Sequence, residues 1–442
     1  MSDAAGRGSS VPGGHSRPRV LCIADSDSYV KWGAALAGQL PKDWRVRLVI
    51  ARGNALPSPR QLDEALDGSR FAVEDVDILG REALGAELVR FAPDAVIASL
   101  RGLAVQALVE DFVPNVPDRP VIVSGLPGIA VPVLPHGLAY RRSADMLVVH
   151  SHREVADFGA VAARTGFRHD VRLTSLPYLT PSEPPGDDAM HATPAPVERD
   201  RIVFAAQAIV PGPRSQRAWL LERLVATARA HPDLTVVVKI RAQAGEMQKH
   251  DEAISYAELL EEMRSAGVRP PPNLVVESGP MSHHVARAVG LVSVSSTAML
   301  EAIADGVPCL ALTDFGVAPD LINPVFLGSG LLGDSDDLVA ARFHTPDPAW
   351  LEANYFHHAA DNTWLPRLQE LMELRASSGL PPARRMRRTP VNRAKLIFYR
   401  HLGFRPDRHG IAHRTEESFL RVALWANRHR WRLVHLVRGV QR

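Results

Sequence analysis

Short apolar runs alternate with helical periodicity along most of the chain. Residues 19–24, RVLCIA, are apolar with almost no polar alternation, the pattern of a strand buried on both faces. The run ends in Asp25, Ser26, Asp27 and Ser28, and residues 30–40 then take up helical spacing. Similar runs at 45–50, 76–78, 95–98, 121–123 and 146–149 are separated by helical stretches such as 83–91. This alternation predicts a parallel sheet with helices on both faces. A Pro-rich, acidic stretch at 180–200 interrupts it as a linker. A second set follows, with strands at 202–206, 234–240 and 273–277 and helices at 217–231 and 255–266. Residues 347–374 read as a loop and an amphipathic helix that packs back across the domains.

Residues 291–312, LVSVSSTAMLEAIADGVPCLAL, carry the most chemistry. They predict a strand, a turn at Ser295, Ser296 and Thr297, a helix at 298–304, a stop at Asp305-Gly306 and a further strand. Hydroxyls and backbone N–H groups at a helix start favour an anion. Glu301 lies four residues after Thr297, one beyond capping-box spacing, so its carboxylate is available to a ribose diol. Lys239 and Arg241 are two apart at a strand end, on one face, where two cations can hold a diphosphate. Gly212, in the loop after the first strand of the second set, lets backbone approach a ligand closely. Gly279 and Met281 follow another strand; His283 and His284, just beyond, are taken as helix-surface residues.

The 291–312 segment resembles the donor-binding signature of GT-B glycosyltransferases, especially relatives of capsule polysialyltransferases and teichoic-acid glycerophosphotransferases. Over residues 17–375 the chain is similar to actinobacterial glycosyltransferases of unassigned substrate. The resemblance implies an α/β GT-B fold, two Rossmann-like domains facing across a cleft, with a basic helical C-terminal extension. The expected division is a disordered 1–16, an acceptor domain at 17–180, a linker at 181–200, a nucleotide-donor domain at 201–375 and a basic tail at 376–442. The resemblance also puts Gly279 and Met281 against the nucleobase, and lets Arg241 replace the His-Pro that follows the strand-end Lys in those families. Residues 135–142, PHGLAYRR, look like the His-Gly motif of the glycerophosphotransferases, so His136 inherits the role of catalytic base. Asp27, and Asp25 beside it, are rival bases, because a carboxylate at a cleft edge can serve an inverting transfer.

Composition changes this picture at one end of the chain. A content of 46% hydrophobic and 23% charged residues suits a globular protein with full cores, and Cys22 and Cys309 lie in strand-like runs without metal-ligand spacing. No metal and no cofactor are expected. Net charge is only +2, yet residues 380–442 hold fifteen Arg and one Lys against Asp407, Glu416 and Glu417. That segment is therefore +13 and the remainder −11. Aromatic residues among the arginines suit an anionic membrane surface, and nucleic acid is not expected as a partner. No signal peptide or membrane span is evident, so the expectation is a cytoplasmic enzyme, peripheral on the inner face of the plasma membrane. Its function would be transfer of a sugar from a nucleotide-diphosphate donor to a lipid-linked or polysaccharide acceptor in cell-envelope synthesis. A nucleotide-sugar 2-epimerase, a CMP- or CDP-linked phosphotransferase and a non-catalytic nucleotide-binding protein share the same plan.

Overall fold

The structure is a computed structural model that describes residues 17–179, 198–240, 254–386 and 389–407. The segment 1–16, most of the expected linker and residues 408–442 lie outside these ranges.

The first domain is built on β1 (Arg19–Ala24), β2 (Arg45–Ala51), β3 (Asp77–Leu79), β4 (Ala95–Ser99), β5 (Val121–Gly125), β6 (Met146–Val149) and β7 (Val171–Leu173). They form one parallel sheet in the order β3-β2-β1-β4-β5-β6-β7. β1 shows why the run reads as uniformly apolar. Val20, Cys22 and Ala24 enter the core on one face, and Leu21 and Ile23 enter the core on the other. The second domain carries β8 (Arg201–Ala205), β9 (Thr235–Lys239), β10 (Leu274–Glu277), β11 (Ala288–Ser293), β12 (Cys309–Leu312) and β13 (Leu332–Gly333). Its parallel sheet has the order β10-β9-β8-β11-β12-β13, the first domain's winding repeated. Both sheets reverse strand order beside their first strand, and ligands of such sheets bind beyond the carboxyl ends there. The expected two-domain α/β architecture holds, and the predicted helix at 298–304 is the observed Ala298–Ala304.

Residues 376–442, expected as one tail, are divided. Helix Trp364–Ser378 places Trp364, Leu368 and Leu371 in the core on one face of the first sheet. Helix Pro390–Gly403 contributes Leu396 to the core on the opposite face, and Phe404 follows it there, 5.0 Å from Phe112 between ring centroids. The Arg405 N–H donates to the Arg52 carbonyl, and Asp407 accepts from the Ala83 N–H at 2.8 Å. Residues up to 407 thus belong to the first domain, because their apolar side chains complete its core. Among the described residues no helix is long and apolar enough to cross a membrane. Both cysteines are buried and unpaired, and burial pushes their thiols up, Cys309 to about 12.

Trp32 fixes the first helix, Asp27–Gly38, beneath the sheet. A side chain at Gly125 would put its Cβ 2.4 Å from the indole, so this strand end accepts only glycine. The Trp32 Nε1–H donates to His150 Nε2 at 2.8 Å, which assigns the imidazole proton to Nδ1, facing the Thr174 carbonyl at 3.2 Å. Burial is the main force lowering the His150 pKa, to about 4. An unfolded His protonates near pH ~6.5, so folding must hold this proton off as pH falls from there toward 4. Stability should drop by about 2 kcal/mol between pH ~7.5 and ~5 on this account alone. In urea unfolding, the gap between parent and His150→Gln should narrow by that amount over the same range; parallel pH profiles would refute the assignment.

Candidate functional site

The carboxyl ends of the two sheets meet across a cleft of about 440 Å³. From the first domain come Asp27, Tyr29 and Lys31 of the first helix, Gln61 and Glu64 of helix Pro59–Leu66, and the loop 126–129 after β5. From the second come the loop 205–210 after β8, Lys239 at the end of β9, Gly279, Pro280 and Met281 after β10, and Ser295, Ser296, Thr297 and Glu301 after β11. Of the nine residues assigned to the donor from sequence, seven line this one cleft. Gly212 is exposed and not among the lining residues, and Arg241 lies outside the described residues.

Hydrogen bonds to one side chain preset the serine turn. Gln207, two residues past β8, accepts from the Ser295 N–H at 2.9 Å and from the Ser293 hydroxyl at 3.1 Å, and its amide donates to Ser295 Oγ at 3.1 Å. Ser293 Oγ accepts from the Ser296 N–H at 3.3 Å, and Ser296 Oγ accepts from the Ala298 N–H at 3.2 Å as the helix begins. The first domain touches this turn directly, since a Cβ on Gly128 would lie 2.8 Å from Thr297 Oγ1. The loop after β8 is held from beneath by Arg217. Its guanidinium is fully buried, donates to the Gln207 and Pro211 carbonyls at 3.0 and 3.2 Å, and lies 4.5 Å from the Tyr256 ring centroid. Gly212 therefore serves a loop whose shape is set by a buried cation.

Lys239 is 9% exposed and lines the cleft from the end of β9. His284, expected on a helix surface, is instead buried: its Nε2 meets the Ser278 carbonyl at 3.2 Å and its Nδ1 lies 3.5 Å from Glu277. Burial, with a contribution from Lys239, holds its pKa below the usual histidine value, so at neutral pH it is an uncharged prop for the Gly279 turn. Gly279 has φ +116°, a conformation that other residues rarely adopt.

The candidate bases separate clearly. Asp25 is fully buried and accepts from the Arg101 Nε at 2.9 Å and the Arg101 N–H at 3.2 Å, so it is an internal ion-pair member. Asp27 lines the cleft. His136 does not: it is exposed on the short helix Pro135–Tyr140, its ring 5.6 Å from that of Tyr140. Partial burial and the nearby Arg141 and Lys395 lower its pKa, which keeps it neutral at pH 7. Glu301, read as a ribose ligand, also accepts from Lys31 at 2.9 Å across the cleft. Gln207, Lys31, Tyr29 and Gly128 were not singled out from sequence. Lys31 had a signal, because it lies four residues after Asp27 and so shares its helix face. Among the described residues no group of three or more His, Cys, Asp or Glu side chains converges as metal ligands would.

Replacing Gln207 by Ala should leave the buried Ser295 N–H without its acceptor. A loss of about 1–3 kcal/mol in unfolding free energy is expected. An unchanged denaturation midpoint would mean that the turn holds its own shape.

The sequence profile of the family described as "Putative glycosyltransferase (DUF6716)" matches residues 20–371. No curated protein matches the chain. Among solved structures, the UDP-GlcNAc 2-epimerase of Methanocaldococcus jannaschii, in complex with UDP-GlcNAc and UDP, is 10% identical, with a TM-score of 0.50 over 81% of this chain and 100% of that one. The UDP-GlcNAc 2-epimerase of Neisseria meningitidis bound to UDP-GlcNAc is 13% identical, with a TM-score of 0.49 over 80% and 98%. A UDP-glucosyltransferase of Polygonum tinctorium is 12% identical, with a TM-score of 0.48 over 83% and 100%. At these identities the likeness is one of fold.

Proposed function

The chain belongs to this glycosyltransferase family and has the GT-B fold, and we propose that it transfers a sugar from a nucleotide-diphosphate donor to a lipid-linked or polysaccharide acceptor of the cell envelope. The observation that carries this reading is the convergence of Lys239, the 295–297 turn, Glu301 and Gly279 with Asp27 in a single inter-domain cleft. In this reading the diphosphate lies between the Lys239 ammonium and the serine turn, where charge-assisted and backbone hydrogen bonds neutralise it. Glu301 accepts from the ribose hydroxyls, and the Gly279 and Met281 loop flanks the base.

The acceptor enters from the first domain. Asp27 takes the proton of its hydroxyl as that oxygen attacks the anomeric carbon, and the bond from that carbon to the β-phosphate oxygen breaks. The leaving nucleoside diphosphate keeps the bonding pair, and Lys239 offsets the charge that develops. A 2-epimerase would use a similar cleft, and release of free epimer without an acceptor would mark it; membership of a transferase family favours transfer.

A thermal-shift panel of UDP, GDP, CDP, CMP and dTDP identifies the base, since any binder stabilises the protein by mass action. With that nucleotide, Lys239→Ala should weaken binding by about 10- to 100-fold, the equivalent of about 1.5–3 kcal/mol for a charged hydrogen bond. Asp27→Asn should abolish transfer and spare nucleotide affinity, whereas His136→Ala should retain turnover. Loss of turnover in the His136 variant alone would return the role of base to the imidazole.

The lipid-linked acceptor is supported by the charge at the C-terminal end. Residues 408–442 hold eight Arg against Glu416 and Glu417. Each cation held near an anionic leaflet contributes about 1 kcal/mol, fading over a Debye length of roughly 8 Å. Truncation after Asp407 should leave a folded, nucleotide-binding protein that no longer sediments with anionic vesicles, while the full chain does so in a salt-sensitive way. Truncation after Gly379 should instead unfold the first domain, because it strips Leu396 and Phe404 from the core. Equal sedimentation of the full chain and the 407 truncation would end the membrane reading.

A further inference from the structure

The Lys31–Glu301 ion pair joins the first helix of one domain to helix Ala298–Ala304 of the other, on the wall of the cleft. Its side chains are 35% and 19% exposed, so the pair is open to competition from a ligand. Among the described residues, the charged ones that line the cleft are Asp27, Lys31, Glu64, Lys239 and Glu301. Three are acidic and two are cationic, and one of the two cations is engaged with Glu301. A nucleoside diphosphate brings about two further negative charges, and Lys31 and Lys239 are the cations that line the cleft among the described residues.

Position supplies the remedy. Thr297 and Glu301 are four residues apart, so the phosphate-facing turn and the Glu301 backbone are about 6 Å apart along the helix axis. A Lys31 ammonium already on Glu301 reaches that turn by a side-chain swing. The approach of Gly128 to Thr297 shows that the domains are in contact there without further closure.

We propose that donor binding exchanges this pair: the ribose hydroxyls take the Glu301 carboxylate, and the Lys31 ammonium moves onto the diphosphate. The phosphate site is then shared by both domains, with Lys239 from the second and Lys31 from the first. This rests on the nucleotide-diphosphate reading above. It makes diphosphate affinity, unlike nucleoside affinity, depend on a first-domain residue.

Calorimetric titration uses whichever of UDP, GDP, CDP and dTDP binds the parent, together with its nucleoside. Lys31→Gln should weaken the diphosphate about tenfold or more and leave the nucleoside within about twofold, and Lys31→Arg should restore most of the loss. Glu301→Gln should weaken the nucleoside and raise the ratio of diphosphate to nucleoside affinity, since Lys31 is then released. Equal weakening of both ligands in Lys31→Gln would reduce the pair to a structural tie, and no weakening of either would remove Lys31 from the site; both overturn the exchange. Should the parent bind none of the four diphosphates, the nucleotide reading itself fails, and the exchange falls with it.

Discussion

A carboxylate buried at the joint between the domains sets the geometry of the cleft. Glu154 is 1% exposed, and it accepts from the Ala130 N–H at 3.0 Å, the His150 N–H at 2.8 Å and the Tyr355 hydroxyl at 2.6 Å. Burial pushes its pKa up, and these three donors pull it back. A buried carboxylate left without partners costs several kcal/mol, so each donor is held where the acid needs it. One donor belongs to the loop that continues from the cleft-lining residues 126–129, another to the end of β6, and the third to the second domain. Tyr355 is itself strained, a non-glycine residue at φ +68°, and the bond to Glu154 is among the contacts that hold it there. Asn362 and Thr363 extend the joint, with the Ser175 N–H donating to Asn362 at 2.8 Å. One side of the interface is held by these bonds, and the proposed exchange lies on the other, at Lys31 and Glu301.

That asymmetry matters because the charged groups Asp27, Lys31 and Glu301, which face the cleft, are partly exposed. On the fixed side Glu154 and His150 are buried and hydrogen-bonded, and Asp25, Arg101 and Asn54 form a similar bonded set, with Arg101 to Asn54 at 2.8 Å. Groups already satisfied by rigid neighbours give nothing to a ligand without loss elsewhere. The partly exposed residues Asp27, Lys31 and Glu301, together with Lys239, are the groups that line the cleft instead.

The strands were legible because parallel strands buried on both faces are continuous apolar runs, as β1 and β5 show, and the serine turn because its strand, hydroxyls and helix are contiguous in sequence. What escaped is what depends on partners distant in the chain. Gln207 acts on residues 88 positions away, and Lys31 meets Glu301 across 270. No local pattern encodes either pairing. His284 differs, because its partner Ser278 is only 6 positions away, and helical periodicity does not mark a histidine that bonds back to the turn before its own helix. His136 drew attention through a motif whose local cadence is present, but the residue is not among those that line the cleft. Gly212 lies in the loop that Arg217 holds, and the burial of that Arg gives no sequence signal beyond its place on the apolar side of a helix.

The C-terminal segment shows how far chain order misleads about spatial order. It follows the second domain in sequence, yet helices Trp364–Ser378 and Pro390–Gly403 grip the two faces of the first sheet. Residue 407 ends beside the start of helix Arg81–Phe91, held by Glu82 and the Ala83 N–H. The chain beyond it, with its excess of arginine, therefore starts from the first domain, the side from which the proposed acceptor enters. If the proposed membrane contact holds, it would bring a lipid-linked acceptor to the domain that carries Asp27, with the proposed donor domain joined to it at Glu154. In the proposed reading, charge asymmetry along the sequence would become an orientation of the cleft.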